Sequence, residues 1–84
     1  MRAQVIVTLK PSVLDPQGEA VQHALGSLGY DGVRSVRVGK RIELDLDDGD
    51  AAEAEKRIGE MADQLLANPV IERYEVKVLK DSDG

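Results

Sequence analysis

At the start of the chain apolar positions alternate with polar ones: Ala3, Val5, Val7 and Leu9 are interleaved with Gln4, Thr8 and Lys10. A period of two is the signature of a strand with one buried face. Ile6 interrupts the polar face, so part of that face is expected to be covered as well. Lys10-Pro11-Ser12 ends the strand, because proline has no N–H to offer the ladder. The period then changes. Ala20, Val21, Ala24, Leu25 and Leu28 fall within an arc of roughly 140° at ~100° per residue, one face of a helix. Asp15 is placed to cap it, Pro16 to take its first position, where φ is preset, and Gly29 to end it in left-handed backbone. The spacing predicts a helix over 16–28.

Val33, Val36 and Val38 read as a second strand, and Ile42, Leu44 and Leu46 as a third. Gly39-Lys40 between them looks like a tight hairpin turn. A two-residue loop, however, would pair Val38 with Arg41 and set them on one face. An odd loop, Gly39-Lys40-Arg41, restores the apolar face and is the expected connection. After the turn Asp47-Asp48-Gly49-Asp50, Asp50 and Glu53 make an Asp variant of the capping box. Ala51, Ala54, Ile58, Met61, Ala62, Leu65 and Leu66 then share one side of a helix, with Ile58 expected at the centre of the core. Asn68-Pro69 stops that helix. Tyr74, Val76 and Val78 mark a last strand. The order β-α-β-β-α-β is that of an α+β, ferredoxin-like fold: a four-stranded antiparallel sheet with both helices on one face. Residues 1–80 are expected to form one domain and 81–84 a disordered C-terminal tail.

Composition narrows the chemistry. The chain has 84 residues, no Cys, Trp or Phe, and a formal net charge of −5. Without Cys there is no disulfide scaffold, no zinc–thiolate site and no Cys nucleophile. The acidic balance speaks against a nucleic-acid backbone binder, which needs a basic face. No apolar run approaches the ~18 residues a membrane span needs, and no signal-peptide pattern opens the chain. A cytoplasmic address is expected.

Nothing reads as a catalytic centre. His23 lies outside the apolar arc with no second His beside it. Gly26, Gly29 and Gly32 close a helix rather than open one, so they are not a dinucleotide fingerprint. Asp45, Asp47, Asp48 and Asp50 read as a solvated turn and helix cap without the spacing of a calcium loop. Two features are left over. Arg34, Arg37, Lys40 and Arg41 form a local basic cluster, either ordinary surface charge or a contact for a partner. Gly18 sits in the first turn of a helix, where glycine costs roughly 0.5–1 kcal/mol against alanine. Either that cost is simply tolerated, or another backbone or a partner comes close there.

The stretches Val13-Leu14-Asp15-Pro16-Gln17-Gly18, Arg37-Val38-Gly39-Lys40 and Leu65-Leu66-Ala67-Asn68-Pro69-Val70-Ile71-Glu72, in that order, resemble the PurS family. These are the small subunits of phosphoribosylformylglycinamidine (FGAM) synthase. The resemblance covers nearly the whole chain. It implies a non-catalytic subunit of an ATP-dependent glutamine amidotransferase complex in de novo purine synthesis. That complex converts formylglycinamide ribonucleotide, glutamine and ATP to the formylglycinamidine, glutamate, ADP and phosphate. The small subunit joins the glutaminase and the large synthetase subunit and helps ammonia pass between them. The resemblance also implies self-association as a dimer or tetramer, no cofactor in this chain, and ATP and Mg²⁺ in the large subunit. It implies neither nucleic-acid nor membrane binding. Ile6 and Leu79, apolar on otherwise polar strand faces, fit an oligomer.

The motif residues Asp15, Pro16, Gln17, Gly18, Arg37, Gly39, Lys40 and Arg41 are the expected partner contacts. Replacing Gly18 by Leu is expected to leave the lone chain folded. Two other readings stay open: a ferredoxin-like module binding small regulatory ligands, similar to ACT domains, and a small stand-alone enzyme.

Overall fold

A computed structural model describes residues 1–79. The strands are β1 (Arg2–Leu9), β2 (Lys40–Asp45) and β3 (Glu72–Leu79), and the helices are α1 (Pro16–Ser27) and α2 (Ala51–Met61), the latter running on into a π-helical turn, Ala62–Leu66. The expected tail, 81–84, lies outside the described residues.

The sheet is antiparallel and three-stranded, in the order β2-β1-β3. β1 is the central strand: Val5 stands opposite Ile42 on one side and Val76 on the other. The period of two places Ala3, Val5 and Val7 on the face covered by α2, where they are buried with Ile58 and Ala62. Ile58, Val5 and Val7 are the largest fully buried side chains. Each contributes about 1.5–3 kcal/mol by leaving water. Tyr74 closes one side of this core, its hydroxyl donating to Gly59 O at 3.2 Å and to Asp63 Oδ1 at 2.9 Å.

Several local expectations hold. Asp15 caps α1 and Pro16 takes its first turn. Gly29 ends the helical stretch with φ +98°. Asp50 caps α2, but by accepting from Ala52 N at 3.4 Å and not through the expected box with Glu53.

Three expectations fail. There is no hairpin at Gly39-Lys40-Arg41: Lys40 and Arg41 already belong to β2, and Gly39 keeps a negative φ. The chain runs straight through. In an extended strand even-numbered positions share a face, so Val36, Val38, Ile42 and Leu44 align with no loop at all. The burial pattern agrees, with these four half-buried and Arg37, Gly39, Arg41 and Glu43 exposed.

Second, the expected strand over Val33–Val38 is extended but pairs with no other strand among the described residues. Among the described residues the sheet therefore has three strands, and α1 lies beside this arm, Gln22 reaching Val33 O and Arg34 O.

Third, Leu65 is not on the core side; it is 83 % exposed. The π-helical turn is the reason. Ala67 N bonds Ala62 O at 2.9 Å, and this wider turn rotates the last residues out of the phase set by Ala54 and Ile58.

The radius of gyration is 16.2 Å and the longest extent 48 Å. A globular domain of this length is expected near ~12 Å. The excess is the arm and α1, which project past the end of the sheet.

Candidate assembly interface

The two sequence motifs meet at the root of the arm. Asp15 ends the loop after β1, and its carboxylate is buried and shared. Gly18 N donates to Oδ1 at 2.9 Å and Val38 N donates to Oδ2 at 2.7 Å. One side chain thus caps a helix and fastens a strand. The two backbone N–H donors, Gly18 first and Val38 second, hold the carboxyl below its ordinary pKa, with the Arg37 charge adding to the effect against the cost of burial. Arg37 reinforces the joint, its Nη2 donating to Lys10 O and Val13 O at 3.0 Å each. Farther out, Gln22 Nε2 donates to Arg34 O at 2.8 Å and to Val33 O at 3.3 Å.

Glycine is required twice here. A Cβ on Gly18 would overlap the Val36 carbonyl, and one on Gly39 would stand 2.6 Å from Val7 O. The close approach read from Gly18 is therefore real, and the approaching backbone is the chain's own. Gly18→Leu cannot be the neutral change expected from sequence, since the obstacle is main chain rather than a mobile side chain.

Of the eight expected contact residues, Asp15 and Gly18 are buried, Arg37 is engaged with main-chain carbonyls, and Gly39 abuts β1. Pro16, Gln17, Lys40 and Arg41 remain exposed, with Arg41 paired to Glu43 at 3.1 Å. Apolar surface left exposed among the described residues lies elsewhere. On α1, Val21 is 41 % and Leu28 74 % exposed, and Ala20 and Ala24 are open beside them. The face of α1 turned inward is instead Gly18, Gln22 and Leu25. A second apolar patch, missed from sequence, is Leu65, Val70 and Ile71 around the π-helical turn. Its signal was the run Leu65-Leu66 followed by Val70-Ile71, longer than one helix face can bury.

The acidic turn is spent locally. Asp48 Oδ1 stands 3.3 Å from the N-terminal amine, and Asp50 caps α2. His23 is exposed on α1. No helix among the described residues is long and apolar enough to cross a membrane.

The described residues thus comprise a small core, a polar joint, and a helix α1 whose Val21 and Leu28 stand exposed. A sequence model of PurS, phosphoribosylformylglycinamidine (FGAM) synthase, matches residues 2–80. A PurS subunit from Synechocystis sp. is 59 % identical over 71 residues, covering 84 % of this chain and 71 % of that protein. The crystal structure of Methanocaldococcus jannaschii PurS superposes with a TM-score of 0.86 at 40 % identity, over 94 % of this chain and 95 % of that one. A chain in the structure of PurLQS from Thermotoga maritima gives 0.83 at 31 % identity, covering 93 % of this chain and 95 % of its own. The chain belongs to the PurS family of FGAM synthase subunits.

Proposed function

We propose that this chain is the small, non-catalytic subunit of FGAM synthase in purine biosynthesis, joining the glutaminase to the large synthetase subunit and assisting ammonia transfer between them. The observation that carries this reading is the match, over nearly the whole chain, to a PurS chain seen within a PurLQS assembly. ATP and Mg²⁺ belong to the large subunit in this reading, and the small subunit supplies surface rather than chemistry. It works as a self-associated unit, which its long radius of gyration and exposed apolar stripe support. The test is reconstitution. Glutamine-dependent formation of FGAM by the large subunit and the glutaminase should require this chain. Ammonia-dependent formation by the large subunit alone should not. Equal glutamine-dependent rates with and without the chain would overturn the reading.

A further inference from the structure

We infer that the end of the π-helical turn, with Leu65, Val70 and Ile71 around it, is a docking surface for a different subunit of the complex. It recognises a segment that presents an apolar side chain beside an arginine or lysine. The inference rests on the subunit role proposed above and names a surface that serves it.

The apolar part of this surface is held outward. The π-helical turn sets Leu65 out, and a tight turn over 68–72 sets Val70 out. In that turn Asn68 N donates to Glu72 Oε1 at 2.6 Å and Val70 N to Asn68 Oδ1 at 3.0 Å. Ile71 N and Glu72 N both donate to Asn68 O, at 3.2 and 2.7 Å. Lys10 N donates to Ile71 O at 2.9 Å and ties the turn to the end of β1. Pro69 adds a fixed φ. The side chains are displayed without further ordering, which lowers the entropic cost of binding.

The same bonds create the polar part. A helix ends in carbonyls that need donors, and the residues that follow commonly turn back to supply them. Here Ala67 N goes to Ala62 O, and Pro69 has no N–H. The N–H groups of Asn68, Val70, Ile71 and Glu72 are committed within their own turn. The carbonyls of Gln64, Leu65 and Leu66 therefore receive no main-chain donor from 67–72. Neither α2 nor the π-helical turn has a basic residue in its last turn. Glu60 and Asp63 are exposed there instead, and Arg73, next along the chain, reaches Thr8 Oγ1 at 3.4 Å. The negative end of the helix dipole thus stands among carboxylates. A cation is favoured at such an end and donates to its last carbonyls. An apolar side chain beside that cation covers Leu65 and Val70.

Residues 80–84 of this chain do not fill the place. They follow Leu79, which lies seven positions along β3 from Glu72, roughly 23 Å at strand spacing. Five residues span at most about 18 Å. The occupant comes from another molecule.

The test is isothermal titration of this chain with the large subunit and with the glutaminase. Leu65→Ser/Val70→Ser should bind one of the two about tenfold or more weaker than the wild type. Its sedimenting mass and far-ultraviolet circular dichroism should stay unchanged. Gln64→Arg supplies a cation from within the chain. It should raise the melting temperature of the lone chain through the helix dipole, yet weaken the same binding, because the place of the partner's cation is taken. Wild-type affinity in either folded variant overturns the inference. So does a lower sedimenting mass, which would make the surface a contact between copies, or a wild-type chain that binds neither subunit. Should the double variant not fold, Gln64→Arg decides alone. Reconstitution with the wild-type chain judges the subunit role separately: activity restored while both variants bind normally removes this surface and leaves the role standing.

Discussion

The half of the chain formed by β1, β2, β3 and α2 and the half formed by α1 and the arm are held together in opposite ways. The first is a hydrophobic core around Ile58, Val5 and Val7 with a strand ladder beneath it. The second has no fully buried large side chain. It is joined by polar contacts to main chain, from Asp15, Arg37 and Gln22, and it keeps its apolar stripe outside. Burial stabilises without regard to direction, whereas hydrogen bonds add about 0.5–1.5 kcal/mol net each but fix geometry. The first half gains its stability from burial, and the second has its shape set by directed polar contacts.

The largest expected effect breaks the first half. Ile58→Ala should lower the stability of the chain by about 2–5 kcal/mol, through lost transfer energy and the cavity left behind. Urea unfolding followed by circular dichroism measures it, and a loss below about 1 kcal/mol would show that Ile58 is not the centre of the core.

Gly18→Leu should break the joint instead. The added side chain meets the Val36 carbonyl, an overpacking that costs on the order of 1–3 kcal/mol. Hydrogen exchange should show the Val38 amide losing protection while Val5 keeps its own; equal losses at both amides would mean that the halves unfold as one.

Acid should separate the halves more gently. The folded-state pKa of Asp15 lies below its ordinary value, so the stabilisation it gives is complete above the unfolded value of about 3.9. It is lost as pH falls through the lower folded value. Protection of the Gly18 and Val38 amides should decline over that window and that of the sheet should not. In Asp15→Asn the acid step should disappear, because the titrating group is gone.

The smallest effect sharpens the contrast between two helical glycines. Gly59 lies in α2, and a Cβ there would meet the Tyr74 hydroxyl at an ordinary 3.8 Å. Gly59→Ala should stabilise by about 0.5–1 kcal/mol. A destabilisation of that size would mean that the contact with Tyr74 is tighter than the geometry shows. The same change at Gly18 should destabilise, because there the neighbour is main chain.

Much of this was legible in the residues. The alternation from Ala3 to Leu9 marked the central strand, Asp15-Pro16 the helix start, Gly29 its end and Ile58 the core. Each is a local matter, decided by the period of buried positions or by a cap a few residues away. Of the site, the two motifs were found but their meaning was not. Asp15 and Gly18 looked like a cap and an oddity, and Arg37 and Gly39 like a charged turn. Only their meeting across more than twenty intervening positions shows a joint.

The sequence by itself determined which faces are apolar, where helices begin and end, and the family to which the chain belongs, because these depend on neighbours along the chain. The tertiary structure alone decided that the strand passes straight through Gly39, that α1 leaves the sheet, and that Leu65 turns outward. Parity at Gly39 was compatible with an odd loop and with no loop at all. Choosing between them required knowing what lies beside the backbone there: β1, close enough that only glycine fits, and Asp15, whose carboxylate takes the Val38 N–H.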